Sequence, residues 1–442
     1  MAMTDWTIIR RSMSSRTFST ITTILTVAIA VGLMLTLLAM RDSGRKAFDR
    51  GTGNMHALIS ADSSPLVSVL NCIFYADPPA RPISWPKYQQ LINTYPFEYA
   101  IPTQQGDSYQ GLPVLATTPE FFARFSPDPE FDPAVPQEQQ DSSAWVLKEG
   151  RFFETSFEVV VGSRAATERT ISVGDQIRLF HGVETSRKSN IVSEPHIHEE
   201  YPYTVVGILE PTGSAHDRAI FTDLTSSWII HAHDRRTNAD SNASMTTEAD
   251  LTDADKLITG IYARIISRQG RDASSVLPQV LSQLRSDPTV TVAQPSEEIA
   301  SLFSIVSNID EILIAMAAAV MVSSGIAIML ALYNSMEQRR RQIAVLRVLG
   351  CNRLRIFGLV LTESAIIGIA GGLAGWLIAF VGTAAVAAVL KDRIGLVVQP
   401  TFEPQIVYTV LVSSLALASL AGLIPAIAAY QTSVAKNLKP TD

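Results

Sequence analysis

Apolar residues in this chain are gathered into blocks. Four stretches, 18 to 40, 312 to 333, 356 to 390 and 406 to 430, are almost free of charge, and each as a helix spans about 30 Å of hydrocarbon or more. Residues 41 to 308 have a different texture. There EVVVG (158 to 162), DQIRLF (175 to 180), YTVVGIL (203 to 209) and GIYARII (260 to 266) read as short strands. The polar runs 125 to 143 and 237 to 255, rich in Pro, Gln, Asp, Ser and Thr, read as loops. Between Ile261 and Val292 a strand, an amphipathic helix with Val276, Val280 and Leu284 in line, and the strand TVTV form a βαβ unit of the kind found in small ferredoxin-like modules. No pattern between 58 and 150 fixes a fold.

The pattern predicts an α-helical membrane protein with four transmembrane helices plus a large outer α+β domain. Its expected parts are a cytoplasmic amphipathic helix (1–17), spans at 18–40, 309–333, 356–390 and 406–430, an outer domain (41–308), a cytoplasmic elbow (334–355), an outer loop (391–405) and a tail (431–442). The first helix is expected from Trp6, Ile9 and Met13 at helical spacing beside Arg10 and Arg11. A cleaved signal peptide is the competing reading. It is disfavoured because 18 to 40 is 23 uncharged residues running straight into Arg41, longer than an h-region of roughly 7 to 15.

Charge orients the spans. Arg10, Arg11 and Arg16 precede the first, six arginines lie between the second and third, and Lys436 and Lys439 follow the fourth. Termini and elbow therefore belong in the cytoplasm and residues 41 to 308 outside. That outer segment holds 22 Lys/Arg against 34 Asp/Glu within a chain of net charge −7. Cys72 and Cys351 fall on opposite sides of the membrane in this topology and cannot pair. Nothing in the pattern points to nucleic acid.

The elbow carries the most specific signal. Arg339, Arg340, Arg341 and Arg347 lie on a run of good helix formers with Ile343, Leu346 and Leu349 at helical spacing. Gly350 should end this helix and Asn352 cap the next, which begins at Arg353. Helix, sharp bend and helix make a rigid element able to receive a push from a soluble partner. Glu363, early in the third span, requires the headgroup region or a partner such as an elbow arginine. Gly368, Gly371, Gly372 and Gly375 allow close helix approach, within one chain or between two.

Before the second span Ser296 should cap a helix with Glu297 and Glu298 in its first turn. Ile299, Leu302, Val306, Ile309, Leu313 and Met316 then recur at 3-4-3-4-3 spacing. This is expected to be a stalk (about 296 to 311) that packs on a second copy or on 42 to 50; a core seam within one protomer is the alternative.

The run RRRQIAVLRVLGCNRLRIFGLVLTESAIIGIAGGLAGWLIA (339 to 379) and the tail GLIPAIAAYQTSVAKNL (422 to 438) resemble the FtsX-like, MacB-type ABC transporter permeases. The resemblance implies a MacB-like periplasmic core domain, a second permease copy, and a separate cytoplasmic ATPase dimer that docks at Arg339, Arg340, Arg341, Arg347, Leu349, Gly350 and Arg353. On ATP closure that dimer would move the second span and the stalk residues Ile299, Leu302, Val306 and Ile309. It also implies a bacterial inner membrane, with lipids around the spans and room for a periplasmic partner. No phosphate-binding GxxxxGK[ST] occurs, so ATP and Mg belong to the partner. GxSxG, HExxH and paired CxxC are absent too, and a non-catalytic subunit is expected.

Six of the seven histidines fall between 181 and 233. His196 and His198, and His231 and His233, form two His-x-His pairs; if extended, each pair aims two imidazoles at one face, with Glu199 and other carboxylates nearby. They are candidate zinc ligands, against a reading as hydrogen-bonded surface histidines. YTVVGILEPTGSAHDRAIF (203 to 221) resembles a branch of these permeases associated with zinc-linked systems of Gram-negative bacteria. Two other functions stay open: a transmembrane signal transducer activating a periplasmic enzyme, and a zinc-binding handoff protein.

Overall fold

The computed structural model describes residues 5–136, 139–140, 144–181, 196–197, 200–239, 244–266, 276–394 and 402–431. In chain order the helices are α1 (Asp5–Ser14), α2 (Thr17–Thr52), α3 (Pro65–Cys72), α4 (Trp85–Thr94), α5 (Glu120–Arg124), α6 (Ser163–Arg169), α7 (Leu224–Ala239), α8 (Leu277–Arg285), α9 (Pro295–Val348), α10 (Arg353–Ile394) and α11 (Pro404–Gln431). The strands are β1 (Ala57–Ser60), β2 (Ile83–Ser84), β3 (Phe97–Tyr109), β4 (Leu112–Thr117), β5 (Leu147–Gly150), β6 (Glu158–Val161), β7 (Gln176–Ile177), β8 (Phe180–His181), β9 (His196–Ile197), β10 (Tyr203–Leu209), β11 (Ile220–Asp223), β12 (Leu257–Ile258), β13 (Gly260–Ile265) and β14 (Thr291–Ala293). The chain divides into two compact units, residues 45–304 and residues 1–44 with 305–442.

The first unit is built on a mixed sheet in the order β14-β1-β13-β3-β4-β11-β6-β10-β5. β13, α8 and β14 form the expected βαβ, split by β1, which pairs antiparallel with both strands. Side chains alternate across the sheet as a two-residue period requires. On β1 and β13, Leu58 and Tyr262 enter one core cluster, with Phe121, Phe125, Phe153 and Phe221. Ala57, Ile59, Ile261, Ala263 and Ile265 enter the other, with Tyr88, Trp228 and Leu284. A third cluster joins β6 and β10 through Val159, Val161, Tyr203 and Val205.

DQIRLF, expected as one strand, is two short pieces, β7 and β8, which pair with different partners, β10 and β3. The stretch that gave no pattern holds the longest strand of the sheet. β3 contains Pro102 and Gly106, which disguise it, yet Pro102 sits in register with Ile261.

Among the described residues four helices are long and apolar enough to cross a bilayer, at Thr17–Thr52, Glu311–Gln338, Arg353–Val389 and Pro404–Gln431, and all four lie mostly in the second unit. The glycines of α10 explain how these pack. A Cβ at Gly371 or Gly375 would lie 2.6 Å or 2.7 Å from the Cβ of Val27 or Val31 on α2, and one at Gly368 would lie 2.6 Å from the Cβ of Ala418 on α11. The small-residue face is therefore used within the chain, between the first, third and fourth apolar helices. Gly375→Leu is expected to destabilise this unit by about 1–3 kcal/mol through overpacking. Gly358→Ala, with nothing within 4 Å of its new Cβ, should leave the melting temperature in detergent unchanged or slightly raised; equal effects of the two substitutions would refute this packing account.

Candidate functional site

The elbow forms as its residues dictate. At the end of α9 the Cys351 amide donates to the Leu346 carbonyl (3.0 Å) and the Gly350 amide to that of Arg347 (3.2 Å). This paired closure needs a left-handed residue, and Gly350 supplies it at φ +93°. The Asn352 side-chain oxygen then accepts from the Leu354 amide at 3.3 Å, capping α10.

Beneath the bend lies a small core. Met336 and Ile343 of α9, Ile356 and Val360 of α10, and Ala426 and Ala429 of α11 are buried together, with Cys351 against them. The two sequence signatures, far apart in the chain, thus meet in space. Gly422 permits this: a Cβ there would stand 2.2 Å from the Ser364 hydroxyl on α10. Arg353 adds a cation–π contact, 5.8 Å from the Tyr430 ring centroid, and Arg355 binds Asp5 of α1 at 2.6 Å. Above this packed base the tip is apolar and open: Leu349 is 77% exposed, Leu354 67% and Val348 63%.

The expected elbow arginines divide in role. Arg353 braces α11, and Arg340 pairs with Glu337 one turn earlier. Arg341 lines a cleft of about 930 Å³ between α1, α9 and α10, floored by Ile9, Ile343, Ile356 and Val360 and reaching Glu363. Arg347 lies in the last turn of α9, and the side chain of Arg339 is outside the described residues.

Glu363 finds a partner other than the elbow arginine expected. Arg16, from the two-residue break between α1 and α2, forms an ion pair with it. Ser12 Oγ lies 2.9 and 3.0 Å from the two carboxylate oxygens and shares its proton between them. The reason is distance, since Glu363 is about 15 Å along α10 from Arg353. Sequence reasoning counted Arg16 as a topology anchor and missed Ser12; a buried glutamate with no helix neighbour of opposite charge was the available signal.

The stalk residues separate. Ile299 is buried in the aromatic core of the outer unit, Leu302 is half-buried and Ile309 is 58% exposed; the side chain of Val306 is outside the described residues. Next to Leu302, Phe303 meets Phe48 of α2 edge to face at 5.4 Å. Ser296 is not the cap expected. α9 begins at Pro295, whose fixed φ suits the first helical position, and the Gln294 carbonyl accepts from Glu297 and Glu298.

The histidine pairs need a correction as well. His231 and His233 are on helix α7, not on a strand. Two residues of helix turn about 200°, so the pair cannot chelate from one face. His233 Nδ1 lies 3.2 Å from the Thr246 hydroxyl, and His231 Nε2 lies 3.4 Å from Asp107 Oδ2. His198 and Glu199 lie outside the described residues, and His196 is seen as backbone in β9. Among the described residues no three His, Cys, Asp or Glu side chains are gathered as metal ligands.

Comparison with known proteins agrees with this anatomy. The MacB-like periplasmic core domain matches residues 20–266, and the FtsX-like permease C-terminal domain matches residues 314–434. The chain is 25% identical over 246 residues to the macrolide export ATP-binding/permease protein MacB of Nitrobacter winogradskyi, an alignment covering 53% of this chain and 33% of the relative. It is 20% identical over 304 residues to an uncharacterized ABC transporter permease of Methanocaldococcus jannaschii, covering 66% of this chain and 65% of that one. The chain therefore spans less than two thirds of the length of either relative. The extracellular domain of the noncanonic ABC-type transporter YknZ from Gram-positive bacteria aligns over 54% of this chain and 99% of its own, at 9% identity and TM-score 0.27. With one of these domains matching more than half of the residues and the other the C-terminal helices that carry the elbow, the chain belongs to the FtsX/MacB-type ABC transporter permeases.

Proposed function

We propose that this chain is the non-catalytic membrane subunit of an inner-membrane ABC machine, and that a separate cytoplasmic ATPase dimer, carrying ATP and Mg, docks on the elbow and drives conformational change in the outer domain. One observation carries this reading. Val348, Leu349 and Leu354 are exposed at a bend whose base is buried on three helices, so an apolar tip is presented on a support that resists deformation. Exposed apolar residues on a rigid base are what a docking surface uses as anchors. The arginines around the tip suit an acidic rim on the partner.

A second permease copy fits the same reading. Ile305, Ile309, Ile312 and Met316 are all more than half exposed and recur along α9 at 4-3-4 spacing, the seam that two packed helices share.

Leu349→Asp with Leu354→Asp is the test. Detergent-solubilised wild-type membranes should yield the chain together with an ATP-binding subunit, and the double variant should retain at least about tenfold less of it, the size of one interface hot spot. Arg340→Glu with Arg347→Glu should lower ATP turnover in the same preparation. A wild-type chain that brings down no ATP-binding protein, or variants that keep it in full, would overturn the proposal.

A further inference from the structure

The cleft beside the elbow has two surfaces of opposite character. α1, α9 and α10 enclose about 930 Å³, and the floor is made by Ile9, Ile343, Ile356 and Val360, all buried. The rim is polar. Arg11 and Arg341 stand on it with Ser15, Gln338 and Gln342, and all five are exposed. Among the described residues neither guanidinium belongs to an ion pair, whereas Arg16 and Arg340 nearby are taken by Glu363 and Glu337. Glu363 lines the cleft, but its charge is already met. The rim therefore keeps two uncompensated positive charges above an apolar floor.

Position in the membrane decides what such a cleft meets. The second apolar span ends at Gln338, on the rim itself. Trp6 of α1 is 63% exposed, as suits an indole at headgroup level. Along α9 the lining runs from Met336 to Leu346, about 15 Å of helix that starts where hydrocarbon gives way to headgroups.

We propose that this cleft binds one anionic phospholipid of the elbow-side leaflet, with its phosphate on Arg11 and Arg341 and an acyl chain on the apolar floor. The volume lies within the range of about 300–1,000 Å³ that ligand sites occupy, and an apolar lining with a few placed polar groups is their usual make-up. A zwitterionic lipid brings the same chain but no net charge to answer the two arginines; basic pockets beside membrane helices take anionic headgroups for that reason. The bound lipid joins α1 to both limbs of the elbow, α9 and α10. It binds whether or not an ATPase docks on the tip.

The test uses the full chain in a neutral detergent, delipidated and titrated with phosphatidylglycerol or phosphatidylcholine, with bound lipid counted by native mass spectrometry. One phosphatidylglycerol per chain should be retained, and phosphatidylcholine should bind at least about tenfold more weakly. Arg11→Gln and Arg341→Gln should each weaken phosphatidylglycerol binding by about fivefold, and together by about thirtyfold. Arg340→Gln, one position along α9 and already paired, should bind as wild type. Leu359→Trp, which fills the cleft without touching its charge, should abolish retention. Phosphatidylglycerol should raise the melting temperature of the wild-type chain and not that of Leu359→Trp. A wild-type chain that retains no phosphatidylglycerol, equal retention of the two lipids, or a loss in Arg340→Gln as large as in Arg341→Gln would overturn the site. So would displacement by millimolar inorganic phosphate, which would make the occupant a free anion, or binding seen only after residues 432–442 are removed, which would make it the chain's own tail.

Discussion

Replacing Arg16 with methionine is expected to destabilise the membrane-spanning unit by about 3–5 kcal/mol, because it leaves a buried carboxylate without its counter-charge. Glu363 is 4% exposed, and its partners are Arg16 and the Ser12 hydroxyl. Arg16 also reaches the Ala331 carbonyl of α9 at 3.5 Å, so this one cluster draws together α1, the start of α2, α9 and α10. The double variant Arg16→Met with Glu363→Leu should recover most of the loss, since no charge is then left buried and the volumes are kept. The measurement is a double-mutant cycle on thermal unfolding of the detergent-solubilised chain. An interaction energy near zero would mean that the arginine serves only to orient the first span.

The membrane-spanning unit was legible because its signals are local. Apolar block length, arginine bias and the Leu-Gly-Cys-Asn bend each act over a few residues, and the Gly350 closure and Asn352 cap follow from backbone needs that the sequence states directly. What escaped was the choice of partner among equivalent chemistries. Any of several arginines could have met Glu363; the break after Ser14 put Arg16 at the right depth. The glycines of α10 were likewise open to two uses, and the placement of Val27, Val31 and Ala418 decided for contacts within the chain.

The outer unit was legible in its strands but not in its register. β6, β10 and β13 announce themselves through β-branched runs, while β3 hides behind Pro102 and Gly106. The His-x-His spacing misled for a related reason. Spacing says which residues share a face only once the period is known, and IIHAHD takes the helical period inside α7 because flanking apolar residues such as Trp228, Ile229 and Ile230 are buried against the sheet side.

Acidification should destabilise the outer unit before its ion-paired carboxylate Glu158 is protonated. His216 is fully buried. Its Nε2 donates to the Gly51 carbonyl at 3.0 Å, which leaves Nδ1 to accept from the Tyr75 hydroxyl at 2.7 Å. Burial lowers its pKa from near 6.5 to about 4. His56 is lowered to about 4 as well, by burial and then by the Arg264 charge, while its Nδ1 accepts from the Ile265 amide. Both folded values lie below the unfolded one, so the stability they confer is complete above pH 6.5 and is lost as pH falls through about 4, by about 3 kcal/mol for each histidine. The tight carboxylate Glu158, held down to about 2 by Arg151, gives up its contribution only below its ordinary value near 4.5, so the two windows separate. Urea unfolding of the chain followed by tryptophan fluorescence, with Trp145 5.9 Å from the His216 ring, should show midpoints falling between pH 6.5 and 4.5. In His216→Gln that slope should be roughly halved; an unchanged slope would mean that the His216 pocket opens to water before it protonates.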